Sequence, residues 1–195
     1  MNPTPVVLYG EHARLEPLDH DHADQLLEAG ADDSIWRYLP TPRPRDREAM
    51  LAIIDRAWRA AADRSEVPFA IVDALTDRAV GSTRFLEIRH GDRALEIGWT
   101  WLGLAAQRTA INTECKYLLL RHAFEELGAL RIQFKTDGRN LQSQQAIERI
   151  GGVREGVLRH HGLRWDGVYR DTVYYSILAT EWPDAKAKLE ARLGR

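Results

Sequence analysis

The chain has 195 residues, 44% hydrophobic and 29% charged, a profile that excludes a disordered or fibrous protein and suits one globular domain spanning residues 1–195. Lysine and arginine number 27 against 29 aspartate and glutamate, a formal net charge of −2, so a surface that coats nucleic acid is excluded and any anion site must be local. A single cysteine rules out an internal disulfide framework, and no run approaches the roughly 18 apolar residues of a membrane span; with no signal-peptide pattern in MNPTPVVLYG, the expected location is the cytoplasm.

VVLYG and ARLEPL read as early strands, followed by a short helix over residues 22–29 that carries Leu26 and Leu27. SIWRYLP is a brief aromatic segment, and TPRPRD breaks the chain. The spacing of Met50, Leu51, Ile54, Trp58 and Ala61 predicts a helix over residues 45–63 with these side chains on one face. The period then changes to two. FAIVDA is a strand, TDR a turn, and residues 79–102 make two strands joined at His90-Gly91-Asp92. The second alternates, with Leu95, Ile97, Trp99 and Trp101 on one face and Glu96, Gly98 and Thr100 on the other.

Ile111, Cys115, Leu118, Leu119, Ala123 and Leu127 line one side of the next helix, and Gly128 is its expected C′ residue. Cys115 on that side reads as a small buried hydrophobe rather than a nucleophile. LRIQFKTD is a strand with Leu130, Ile132 and Phe134 inward, and NLQSQQAIERIGG a short helix closed by Gly151. A hairpin turning at Asp166-Gly167 and a helix from about Trp182 complete the chain. One helix separates the strand before Gln107 from the strand at Arg131, which predicts a parallel pair with a right-handed crossover. The expected fold is α/β: a mixed, largely antiparallel sheet with a parallel central pair and helices on both faces.

The run Gln107-Arg108-Thr109-Ala110-Ile111-Asn112-Thr113 stands before a buried-looking helix and contains no acid. A helix N-terminus offers unpaired N–H groups and about half a positive charge, and behind a strand it is a natural phosphate site. Gln107, Arg108, Thr109, Asn112 and Thr113 add side-chain donors, and Arg108 a full charge. The plainer reading makes Thr109 an N-cap and Arg108 a solvated charge. Neither G-x-x-x-x-G-K-[ST] nor a G-x-G-x-x-G after a strand is present.

The ordered set of E-I-G-W, this loop and helix, AFEELGALRI, N-x-x-S and IGGVREGVLR resembles the GNAT family of acetyl-CoA-dependent N-acetyltransferases. The resemblance is greatest to the RimJ/RimL type, which acetylates N-terminal amines of ribosomal proteins, and it runs from RLEPL to RDTVYYSIL. It implies a GNAT-like fold, acetyl-CoA as co-substrate, and direct transfer to a primary amine in a ternary complex. The acceptor would be a protein or peptide N-terminus, or a small amine such as a polyamine, antibiotic or amino acid. The family loop usually reads [QR]-x-x-G-x-[GA]; Gln107 keeps the first position, whereas Ala110 and Asn112 depart from the other two. Ala110 suits a helical backbone, and Asn112 adds bulk together with a donor.

The resemblance also implies roles. Residues 107–113, including Ala110 and Ile111, would hold the cofactor phosphates, and the main chain of Thr100, Trp101 and Leu102, onward to Leu104, would pair with the pantetheine. Asn140 would hydrogen-bond the pantetheine arm, Ser143 would lie near the sulfur as proton donor, and Glu96 would assist amine deprotonation, usually through water. An α-amine with a pKa of about 7.7–8.0 asks little of such a base. Taken without the resemblance, Glu96 could pair with an arginine such as Arg84, Asn140 could be an N-cap, and Ser143 could satisfy local backbone. Trp36, Tyr38, Trp99, Trp165 and Tyr174 could wall an acceptor site, although each also suits packing. His20-x-His22 and His160-His161 lack a third ligand at suitable spacing, so no metal is assigned. A homodimer is compatible with the terminal hairpin and helix. The departures at Ala110 and Asn112 motivate one alternative, a CoA-binding regulator without turnover.

Overall fold

The computed structural model describes residues 1–195. Strands β1 (Leu8–Tyr9), β2 (Ala13–Pro17), β3 (Val67–Asp73), β4 (Arg78–Arg89), β5 (Ala94–Leu102), β6 (Arg131–Asp137), β7 (Val153–Leu163) and β8 (Tyr169–Leu178) form one sheet in the order β1-β2-β3-β4-β5-β6-β8-β7. Every neighbouring pair is antiparallel except β5–β6, which is parallel. The helix between those two strands forces this arrangement, because a crossover returns the chain in its original direction.

Helices cover both faces. On one, α4 (Ala110–Arg121), α5 (Leu141–Arg149) and α6 (Trp182–Leu193) bury Ile111, Leu118, Leu119, Ile147 and Leu189 against Leu95, Ile97, Ile132 and Phe134. On the other, α1 (Ala23–Ala29), α2 (Asp33–Trp36) and α3 (Arg47–Ala62) enclose a smaller core of Leu26, Trp36, Met50, Ile54 and Trp101. Asp46 caps α3, its side chain accepting from Ala49 N. The buried face of α3 is Met50, Ile54 and Ala57, whereas Trp58 is 41% exposed. Trp58 lies at the margin, its ring against His20 and its indole N–H donating to Leu18 O. Leu130 also differs from expectation at 51% exposed. It precedes β6, and its N–H donates to Arg93 O while its carbonyl accepts from Ala179 N.

The largest departure lies in β5, where the simple alternation fails. Trp99 has φ +52°, and the β4–β5 register shifts between Ser82 and Arg84, so Trp99 and Thr100 both oppose Thr83. This bulge reverses the facing of everything after it. Leu95 and Ile97 share the α4 face with Leu102, while Trp101 falls in the α1–α3 core. Trp99 lies between Arg84 and Arg56, with guanidinium carbons 4.5 and 4.8 Å from its ring.

Helix α4 is buried nearly all round, and after it a π-helical turn over His122–Glu126 leads to Gly128 at φ +66°. Ala129 N donates to Ala123 O across that glycine, a six-residue bond that closes the widened π-helical turn. Glu114 has no exposed surface and accepts from the backbone N–H groups of Glu11, His12 and Ala13, with Arg195 completing the set. Gly10 makes this approach possible, because a Cβ there would overlap the Glu114 carboxyl.

Candidate active site

Strands β5 and β6 pair only at Ala94–Arg131, Leu95–Ile132 and Glu96–Gln133. Beyond Glu96 they part. The bulge at Trp99 bends β5 away, and from Ile97 to Leu102 the β5 edge facing β6 has no strand partner. Both strands run in one direction, so the starts of α4 and α5 lie at the open end of this fork. Glu96 lies at its closed end. From Glu96 to Leu102 the strand covers about 20 Å.

At the open end the five expected donors divide into two sets. Gln107 Nε2 donates to Leu102 O at 2.9 Å, which ties the loop to β5 and engages the Leu102 carbonyl. Thr109 is the N-cap, accepting from Ile111 N and donating to Ala106 O at 2.8 Å. These two side chains build the loop. Arg108 is exposed, Asn112 and Thr113 are half-buried, and none of the three side chains bonds elsewhere in the protein. The N–H groups of Ala110 and Asn112 lie in the first turn, where an α-helix supplies no acceptor, and that turn contains no acid. Ala110 has helical geometry; the residue with positive φ is Arg108, at +61°.

Asn140 caps α5, its side-chain oxygen accepting from Ser143 N at 3.1 Å. Ser143 is half-buried and its hydroxyl makes no hydrogen bond within the protein. The Thr100 hydroxyl meets Thr83 Oγ1 at 2.7 Å and Lys116 Nζ at 2.6 Å. Trp101 packs on Trp36 at 5.0 Å, so both indoles belong to the core and only the Trp101 main chain is available to a ligand.

Glu96 is 4% exposed, and its Oε2 accepts from Gln133 Nε2 and Lys135 Nζ, each at 2.9 Å. Burial pushes the carboxyl above the usual carboxylate range, although Lys135 and Gln133 pull it partly back. Burial would lower Lys135, but the charge and hydrogen bond of Glu96, with smaller help from Tyr174 and Glu87, together outweigh it and hold that amine above its ordinary value. Arg84, the partner anticipated from sequence, instead pairs with Glu66 at 2.6 Å. Gln133 and Lys135 were not foreseen. Their signal was the polar alternate face of RIQFKTD, which gains meaning only once β6 is paired with β5.

Alternation along β8 places Tyr174 beside Lys135, with Thr172 and Arg170 further along the same face. Arg164 on the hairpin stacks against Tyr38 at 5.7 Å, which brings the segment after α2 to the β7–β8 hairpin. Tyr38 and Tyr174 therefore border the Glu96 side of the sheet, and Trp165 is 50% exposed.

A fork between two parallel strands, an acid-free helix start at its mouth and a buried carboxylate at its base agree with the comparison to known proteins. Residues 12–153 match the acetyltransferase (GNAT) domain family. The chain belongs to the GNAT family. Among other GNAT-type proteins, YdaF of Bacillus subtilis (strain 168), assigned as a ribosomal N-acetyltransferase, is 37% identical over 95 residues, covering 49% of this chain and 51% of YdaF. The chain thus spans about half the length of that curated relative. A solved structure from T. thermophilus, assigned as an acetyltransferase, is 40% identical with a TM-score of 0.90, covering 99% of this chain and 100% of the other. Mycobacterium smegmatis RimJ, solved in complex with CoA-disulfide, shares the fold at 22% identity and a TM-score of 0.82, covering 100% of this chain and 96% of RimJ. No helix in the GNAT chain is long and apolar enough to cross a membrane.

Proposed function

We propose that residues 1–195 act as one acetyl-CoA-dependent N-acetyltransferase, transferring acetyl directly to a primary amine, with the N-terminal α-amine of a protein or peptide as acceptor and the cytoplasm as location. The observation that carries this reading is the fork: a free strand edge of about 20 Å joins an anion-ready helix start to a buried carboxylate. Acetyl-CoA would supply the activated acetyl group as a thioester. Arg108, Asn112, Thr113 and the first N–H groups of α4 would hold its phosphates, with Gln107 and Thr109 keeping the loop in shape. The β5 main chain at Thr100 and Trp101 would pair with the pantetheine, and Asn140 would orient it with the amide left over from capping. Glu96 would receive the acceptor's proton through water as the C–N bond forms. The Ser143 hydroxyl would donate a proton to the sulfur as the C–S bond breaks. The name of YdaF and the ligand of RimJ support this choice of acceptor and cofactor.

Homodimer formation belongs to the same proposal. Strand β7 is a sheet edge carrying exposed Val153, Val157, Leu158 and Leu163. The deciding experiment is thiol release from acetyl-CoA with peptides, free amino acids, polyamines and aminoglycosides as acceptors. Turnover confined to small amines would replace the peptide acceptor. The Glu96–Lys135 ion pair favours a second reading, in which the carboxylate is structural and the protein binds CoA without turnover; saturable binding with no thiol release from any amine would select it.

A further inference from the structure

Lys116 is the most anomalous charged group in the molecule. It is 8% exposed and makes no ion pair, and its one hydrogen-bond partner is the Thr100 hydroxyl, which Thr83 shares. Lysines are almost never buried without a counter-charge.

No group around it supplies one. On α4 itself, Glu114 is engaged by the backbone N–H groups of Glu11, His12 and Ala13 and by Arg195, and burial pushes the neighbouring Cys115 thiol up to about 11, so it is neutral at ordinary pH. His122, after α4, pairs with Glu126. From α6, Glu190 accepts from Tyr117 and Lys186 pairs with Glu125. From the N-terminal strands, Glu11 lies beside Arg195, and His12 meets Glu114 through its backbone. From the sheet, β4 and β5 present Thr83 and Thr100, while Arg84 stacks on Trp99 toward α3 and Glu96 is held by Gln133 and Lys135.

The position of Lys116 suggests where the missing counter-charge comes from. It follows Asn112 by four residues and so lies on the same helix face. Its Cα is about 9 Å along the axis from Ala110, and helical side chains lean back toward the N-terminus. The ammonium therefore sits within about 10 Å of the helix start and directly against the strand whose edge forms the fork.

We propose that Lys116 is a positioning residue for the cofactor: it takes up a proton as a polyanionic, phosphate-bearing ligand binds at the start of α4, and its ammonium then holds Thr100 and the β5 edge in place. The inference rests on the CoA-binding reading above. Burial lowers the amine's proton affinity in the free protein, and the ligand's phosphates restore it.

The test is calorimetric titration with CoA at several pH values above 7.5, where the ligand phosphates are ionised, in pairs of buffers of different ionisation enthalpy. The wild-type protein is expected to take up a fraction of a proton that passes through a maximum with pH, with affinity weakening by at most tenfold per pH unit on the alkaline side. Lys116→Met should abolish that uptake and weaken binding about tenfold. Lys116→Arg, permanently charged, should bind without uptake. Thr100→Val removes the acceptor for the ammonium and should move the uptake maximum to lower pH, so a poorly folding Lys116→Met variant does not decide the matter. Equal uptake in wild type and Lys116→Met, or none in the wild type, overturns the proposal. Absence of CoA binding by the folded wild type would instead defeat the functional reading, and this inference with it.

Discussion

Glu96, in the last pair that joins β5 to β6, meets Lys135, two residues beyond its partner Gln133 on the adjacent parallel strand, at 2.9 Å. A carboxylate buried this fully would favour its neutral form, and Lys135 restores much of its ionisation. The pair thus supplies a carboxylate whose proton affinity is raised by burial and held in check by Lys135, in a buried site where a proton transfer is felt strongly.

Glu96→Gln should lower kcat by about 100-fold or more at neutral pH, with little change in the KM for acetyl-CoA. The protein's kcat/KM should rise as pH climbs through the raised pKa of Glu96. Lys135→Met removes the opposite charge and leaves burial opposed by the Gln133 hydrogen bond alone, so that rising limb should move further up the pH scale. A limb fixed in place in both variants would remove Glu96 from the chemistry.

Arg108 combines a free charge with a left-handed backbone at φ +61°. Arg108→Gly should therefore stabilise folding by about 1 kcal/mol while weakening CoA binding several-fold, the loss being larger at low salt. Thermal unfolding and calorimetry should give effects of opposite sign. Weakened binding together with lower stability would mean that the arginine side chain itself holds the loop.

Glu114 tests the tie between the N-terminal strands and α4. Its burial favours the neutral form, but three backbone N–H groups and Arg195 outweigh that and hold its pKa below the ordinary carboxylate value. A depressed folded-state pKa means that the stability it contributes is present above the unfolded value and is lost as pH falls through the folded one. Glu114→Ala should cost about 2–4 kcal/mol at pH 7 by leaving buried donors unpaired. The variant should also lose part of the wild type's acid-induced destabilisation; an unchanged denaturant midpoint would contradict this.

The β7 edge gives a prediction about assembly. If two copies meet there, Leu158→Asp should convert a dimer to a monomer in light scattering without lowering stability by more than a surface change allows, about 0.5 kcal/mol. A wild-type monomer at assay concentration would remove the dimer from the proposal.

Periodicity and turn chemistry in the sequence determined the elements and their order. The strand–helix–strand succession required the parallel pair, Asp166-Gly167 required the hairpin, and Gly128 and Gly151, at φ +66° and +99°, closed their helices as expected. The polar, acid-free run before α4 also marked where that helix begins, with Thr109 as its cap. These are local properties, set by side chains within a few residues of one another. Tertiary structure decided the rest. The bulge at Trp99 reverses the facing of half of β5, and a period-two pattern cannot reveal it, because tryptophan suits either face. Which of Gln107, Arg108, Thr109, Asn112 and Thr113 remain free depended on where the Leu102 and Ala106 carbonyls lay. The partners of Glu96 and the isolation of Lys116 were fixed only when strands and a helix distant in sequence were packed together, since burial and charge pairing belong to the assembled fold rather than to any segment of it.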